Sequence, residues 1–175
     1  MSIGSEYLQG VIKLVNYYKV LGDKTFAQLE EFEFHFQPNA GSNSIALIIQ
    51  HMAGNMLSRW TDFLDLDGEK DWRNRDTEFE EQQLSGNQLI ALWEKGWACF
   101  TGALSGLTEN DLLKTIYIRQ EALLVVDAIN RQLAHYPYHV GQIIYTAKII
   151  KDKQWTNLSI PRGGSAQFND QLKKQ

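Results

Sequence analysis

With 175 residues, 43% of them hydrophobic, the chain is long enough to fill the core of one domain, taken as residues 1–175, without disulfides. A balance of 17 basic against 21 acidic residues leaves a net charge of −4, which argues against a nucleic-acid or anionic-membrane surface, since both rely on dense Lys and Arg. The single Cys99 excludes an intrachain disulfide and a multi-thiolate zinc site, and it fits a reducing cytoplasm.

Met1-Ser-Ile-Gly-Ser-Glu has no basic segment leading into an apolar run, and the longest apolar runs, Ile45–Ile49 and Ala122–Val126, fall far short of a membrane span. A soluble cytoplasmic protein is expected. Ser5 can cap a first helix that runs to about Phe34, its apolar side supplied by Tyr7, Val11, Leu14, Val15, Tyr18, Leu21, Phe26 and Leu29. Gly22 is a weak point within it. The turn formers Phe36-Gln-Pro-Asn-Ala-Gly-Ser end that helix, and His35 at its exit reads as a helix-terminal histidine.

Asn43 or Ser44 starts a second helix, to about Leu66, with Ile45, Ile48, Ile49, Met52, Met56, Trp60 and Phe63 on its apolar side. His51 lies beside that stripe, with Asn55 and Arg59 on successive turns. A charged loop over Asp65–Asp76 follows, with Trp72 as its expected packing anchor. Ser85 and Gln88 form a capping box that opens a third helix to about Leu104. Thr115-Ile-Tyr-Ile-Arg and Glu121-Ala-Leu-Leu-Val alternate as a short β-hairpin would. A fourth helix then spans about Val126 to Asp152, with Pro137 expected to kink rather than stop it. From about residue 153 the pattern becomes irregular, with Trp155, Ile160 and Phe168 expected to dock on the body. Four amphipathic helices and a small hairpin make an all-α four-helix bundle the expected fold.

The chemistry concentrates on the fourth helix. His135 and His139 are four residues apart, so their rings occupy adjacent turns of one face and can share one metal ion. The alternative is a pair of helix-surface histidines bonded to Gln132 and Gln142. His51, mid-helix beside an apolar stripe where a free imidazole needs a partner, supplies a third ligand. Three histidines leave coordination positions open, as catalytic sites do. Imidazole suits Zn²⁺, Ni²⁺, Fe²⁺ or Cu²⁺ and does not choose among them. Bound water would have its pKa lowered towards 7, and a thiolate could bind the same ion. Asn55, Gln132 and Gln142 are the expected partners that orient the rings. Arg59, Arg73 and Arg75 are candidates to hold a carboxylate or phosphate, the alternative for each being solvated charge. Cys99 reads as a small core residue, and no side-chain nucleophile is identified.

These residues also carry a resemblance. Ile48-Ile-Gln-His51-Met-Ala-Gly-Asn55 and Ala134-His135-Tyr-Pro-Tyr-His139-Val-Gly-Gln-Ile resemble the metal-ligand segments of the DinB/YfiT-like superfamily. Asn55-Met-Leu-Ser-Arg-Trp-Thr-Asp-Phe-Leu, Asp67-Gly-Glu-Lys-Asp-Trp-Arg-Asn-Arg-Asp and Ser159-Ile-Pro-Arg-Gly-Gly-Ser narrow it to a bacterial subfamily of unknown function. The resemblance covers nearly the whole chain. It implies an up-down-down-up bundle, often a homodimer, with a divalent metal on His51, His135 and His139. Relatives include transferases and isomerases that use small thiols such as bacillithiol or mycothiol; Pro137 departs from the pattern. The expectation is a metal-dependent enzyme acting on a small molecule, first a thiol transferase. The alternatives are a hydrolase using metal-bound water, or a non-catalytic structural or sensing module.

Overall fold

Three of the long helices begin where a serine hydroxyl can accept from a first-turn N–H group that has no partner within the helix. Ser2 caps α1 (Ile3–Phe26), Ser44 caps α2 (Ile45–Trp60) and Ser85 caps α3 (Gly86–Ser105). The fourth, α4 (Val125–Lys151), has no such side chain. It follows a two-stranded antiparallel hairpin, β1 (Thr115–Ile118) and β2 (Glu121–Leu124), without a break. The N–H groups of Val125 and Val126 donate instead to the carbonyls of Lys114 and Leu112, just before β1. The hairpin therefore does the capping. A short helix, α5 (Ser165–Leu172), lies near the C-terminus. The computed structural model describes residues 2–173, which are mostly helical.

The core runs between the long helices. α2 is buried on nearly every side, from Ile45 through Met52 and Met56 to Trp60. It packs against α3 and α4, and α1 packs against the same two helices. Trp93, Trp97 and Phe100 of α3 and Tyr136 and Ile143 of α4 are among the largest fully buried side chains. Gly22 is where the Trp93 indole lies flat on α1, with no room for a Cβ, so the residue that weakens the helix makes the packing. α2 runs antiparallel to α4. Ile48 shares a cavity of about 450 Å³ with Thr146 and Ile149, the His51 ring faces His135 and His139, and Tyr136 donates to Asn55 at 3.0 Å.

Several boundaries differ from the sequence expectation. The cap of α1 lies three residues before the expected Ser5, because Ser2 and Ser5 form a reciprocal box in which Ser5 is the third helical residue. The helix ends at Phe26 rather than Phe34. Phe34 is buried but belongs to a separate 3₁₀ turn, Glu31–His35, held by a buried Glu33–Lys151 ion pair at 2.7 Å. α2 stops at Trp60, six residues short of the expected Leu66. There Ser58 donates to Gly68 O at 2.7 Å and Arg59 Nη1 to the same oxygen, folding the charged loop back over the last helical turn. Trp72 is 61% exposed and anchors nothing. α4 passes through Pro137 and remains helical on both sides. Beyond it, Trp155 packs on the core, but Ile160 and Phe168 stay largely exposed, and α5 interrupts a tail expected to be irregular.

Asp67 explains the hairpin. Arg119 and Gln120, the two turn residues, both have positive φ, 56° and 64°, which non-glycine residues adopt at a cost. Their N–H groups donate to the two Asp67 oxygens at 2.8 Å each. Burial works to raise the Asp67 pKa, but the N–H groups of Glu69, Gln120 and Arg119 outweigh it and hold the carboxyl below its usual range. No helix among the described residues is long and apolar enough to cross a membrane.

Candidate metal centre

His51 of α2 and His135 and His139 of α4 come together, their ligand atoms all within 4.8 Å of one another. Ring centroids are 5.5 Å apart for His51 and His135, 5.1 Å for His51 and His139, and 4.7 Å for the α4 pair. His51 is buried, and the other two are half-buried.

Each ring is held by one nitrogen. His135 Nδ1 lies 3.2 Å from Gln132 Oε1, and His139 Nδ1 lies 2.7 Å from Gln142 Oε1. His51 Nδ1 lies 2.9 Å from Glu78 Oε2. An oxygen acceptor at Nδ1 is satisfied by the tautomer that carries its proton there, and in a neutral ring that tautomer leaves the Nε2 lone pair for a metal. His135 Nε2 and His139 Nε2 are 3.0 Å apart. Two lone pairs at that distance repel unless a cation lies between them. An ion about 2.0–2.1 Å from each of two tetrahedral ligands would separate them by about 3.3 Å. The donor set fits a divalent metal.

The electrostatics favour the neutral form of the two α4 donors. Burial, reinforced by His139, His51 and the Arg131 and Arg59 guanidiniums, pushes His135 down to about 4. Burial also lowers His139, helped by His51 and opposed by its bond to Gln142. Neutral imidazole is the form that binds metal.

Glu78 was not anticipated from the sequence. It sits in a 3₁₀ turn, Asp76–Phe79, which Gln50 pins by donating to the carbonyls of Glu78 and Glu80 at 3.2 and 3.1 Å. Burial alone would raise its pKa, but bonds to His51 and to Arg73 outweigh that and lower it. Arg73 grips it with two bonds, Nε to Oε1 at 2.7 Å and Nη2 to Oε2 at 3.0 Å. A Cβ on Gly54 would collide with the Glu78 carboxylate. That glycine, one turn after His51 in an otherwise crowded helix, is the one trace of Glu78 in the sequence.

The remaining candidates fall elsewhere. Asn55 accepts from Tyr136, which in turn accepts from Trp60 Nε1 at 3.2 Å, so it braces α4 rather than a histidine. Arg59 is buried and bonds Gly68 O and Glu69 Oε2, the latter at 2.8 Å. Arg73 bonds Glu78 through Nε and Nη2, which leaves Nη1 without a hydrogen-bond partner. Arg75 is exposed and stacks over Phe79 at 5.1 Å, and Phe79 stacks on His51 at 4.9 Å. Cys99 is half-buried against the core, its sulfur 3.5 Å from Thr61 Oγ1. His35 stands apart from the trio, bonded to Glu81 and to Leu84 O.

No curated protein matches the chain. One family does, over residues 2–164, a span that includes all three clustered histidines and Glu78. The chain belongs to that family, described as a protein of unknown function, DUF1572.

Proposed function

We propose that the chain is a four-helix bundle of the DinB/YfiT-like kind that binds one divalent metal through His51, His135 and His139 and uses it in catalysis. The observation that carries this reading is the convergence of the three imidazoles, each with Nδ1 held by an oxygen, and with the Nε2 atoms of His135 and His139 facing each other at 3.0 Å. A structural site closes its coordination sphere with four protein ligands, whereas this donor set supplies three. A divalent ion here would lower the pKa of a thiol or water presented to it. Glu78, Gln132 and Gln142 fix the rings, and burial keeps His135 and His139 unprotonated at neutral pH. Imidazole suits Zn²⁺, Ni²⁺ and Fe²⁺ alike.

The reaction proposed is transfer using a low-molecular-weight thiol of the bacillithiol kind, in a cytoplasmic homodimer. Support for the thiol and the dimer comes from the sequence resemblance. Cobalt-loaded protein titrated with bacillithiol tests it. A thiolate-to-metal absorption band, followed by conjugation of a model electrophile, is expected. Ester turnover without thiol and no such band would favour the hydrolase instead. Neither reaction, with a loss of folding stability on chelation, would leave a structural module.

A further inference from the structure

Around the histidines, positive charge gathers at one end. His51, Asn55 and Arg59 follow one another at four-residue steps on α2, and Arg131, His135 and His139 do so on α4. Because the helices are antiparallel, Arg59 and Arg131 lie at the same end of the trio, on the His135 side. Arg59 and Arg73 converge on one carboxylate, their Nη1 atoms lying 2.8 and 3.9 Å from Glu69 Oε2.

None of the three arginines is fully used. Arg59 donates through Nη1 alone. Arg73, its side chain only 2% exposed, has a buried Nη1 with no hydrogen-bond partner, 3.9 Å from Glu69 Oε2. Arg131 is exposed and has no ion-pair partner among the described residues. Asp67, Glu69 and Glu78 are the acidic groups beside this cluster, and Glu69 is shared with Arg119 at 3.0 Å. Glu78 and Arg73 cancel, and Glu69 and Asp67 offset Arg59 and Arg119, so the positive charge left over is that of Arg131.

We infer that Arg59, Arg73 and Arg131 form an oxyanion subsite beside the histidines, which holds a carboxylate or phosphate of the substrate while its reacting group lies at the metal. This rests on the metal-site reading and adds the substrate class: a small molecule carrying an oxyanion about one helical turn, roughly 5–6 Å, from the group that reacts. The guanidinium forks that remain open are suited to planar carboxylate and to phosphate alike. Arg59 and Arg73 are also the residues whose loss would disturb the fold, so Arg131 is the place to test.

The experiment titrates inorganic phosphate and, separately, succinate into the full-length chain without metal, observing the arginine Nε–Hε NMR signals. Zinc uptake of the same samples is measured by elemental analysis. Phosphate or succinate should shift the Arg131 and Arg59 signals, and Arg131→Gln should weaken that binding about ten-fold while zinc uptake is unchanged. Which probe binds more tightly separates phosphate from carboxylate. Lys24→Gln makes the same change of charge far from the site, one turn before Gln28, which bonds Thr156 beyond the other end of α4. It should alter neither binding nor zinc. Arginine signals that stay still, or Arg131→Gln and Lys24→Gln weakening binding equally, would overturn the subsite. Zinc uptake that fails while the anions still bind would remove the metal reading and leave the anion site standing.

Discussion

His35 and His51 are both enclosed by the charged loop that leads into α3, and both face a glutamate at 2.9 Å, yet they are wired differently. His35 spends its second nitrogen on the Leu84 carbonyl at 2.9 Å, so it joins two loop segments and has nothing left to offer. His51 spends one nitrogen on Glu78 and turns the other towards His135 and His139. A histidine beside a carboxylate is therefore no sign of a metal site. What matters is whether a nitrogen remains free and points where other free nitrogens point.

The comparison breaks most completely at the ligand itself. His51→Ala should abolish metal uptake, whereas His35→Ala should leave it intact, as measured by elemental analysis after dialysis. Equal losses in both variants would mean that fold stability, not ligation, governs uptake. Glu78→Ala comes next. Removing the acceptor behind a metal-bound histidine weakens metal binding by about 10–100-fold. Here it also leaves Arg73 buried without its partner, at about 3–5 kcal/mol of folding stability. Glu78→Gln retains an oxygen for His51 and should recover part of the affinity but less of the stability. Calorimetric zinc titration and urea denaturation separate the two effects.

Gly54→Ala tests the same contact from the helix side. Its methyl group must displace the Glu78 carboxylate, so zinc affinity should fall by about ten-fold, the lower end for loss of such a partner, with α2 still helical. An affinity equal to that of the unaltered protein would show that Glu78 does not position His51. The pH dependence is a gentler test. In the metal-free chain His135 takes its proton at about 4 when folded and near 6.5 when unfolded, so the unfolded state holds more protons between those values. This contribution to stability is complete above 6.5 and is lost as pH falls towards 4. His139, also lowered, adds in the same direction. Urea midpoints should drop across that window, and less so in His135→Ala. The smallest effect expected is in His35→Ala, about 1 kcal/mol for its hydrogen bonds at a half-exposed position.

The starts of α2 and α3 could be read from the chain because their cause is local. Ser44 and Ser85 lie next to the N–H groups they cap, and the reciprocal Ser85–Gln88 box is visible as two residues three apart. Helix ends could not, because their cause is distant. α2 stops where Ser58 and Arg59 reach Gly68, ten and nine residues further on. The histidine trio followed the same division. His135 and His139 announce themselves by spacing, and His51 by its place beside an apolar stripe. Glu78 approaches His51 only because the loop folds back over α2, which no periodicity records. The bond from Arg73 to Glu78 was out of sight for the same reason. Asn55, on the histidine stripe, was claimed by Tyr136 from another helix.

One metal ion is expected on the trio His51, His135 and His139. This expectation is tested most directly by elemental analysis of the full-length, untagged protein after zinc reconstitution and dialysis, beside His139→Ala treated identically. The account predicts about one equivalent in the native protein and none in the variant, with unchanged helical circular dichroism. A native protein that retains no zinc, or a folded variant that retains as much, would contradict it.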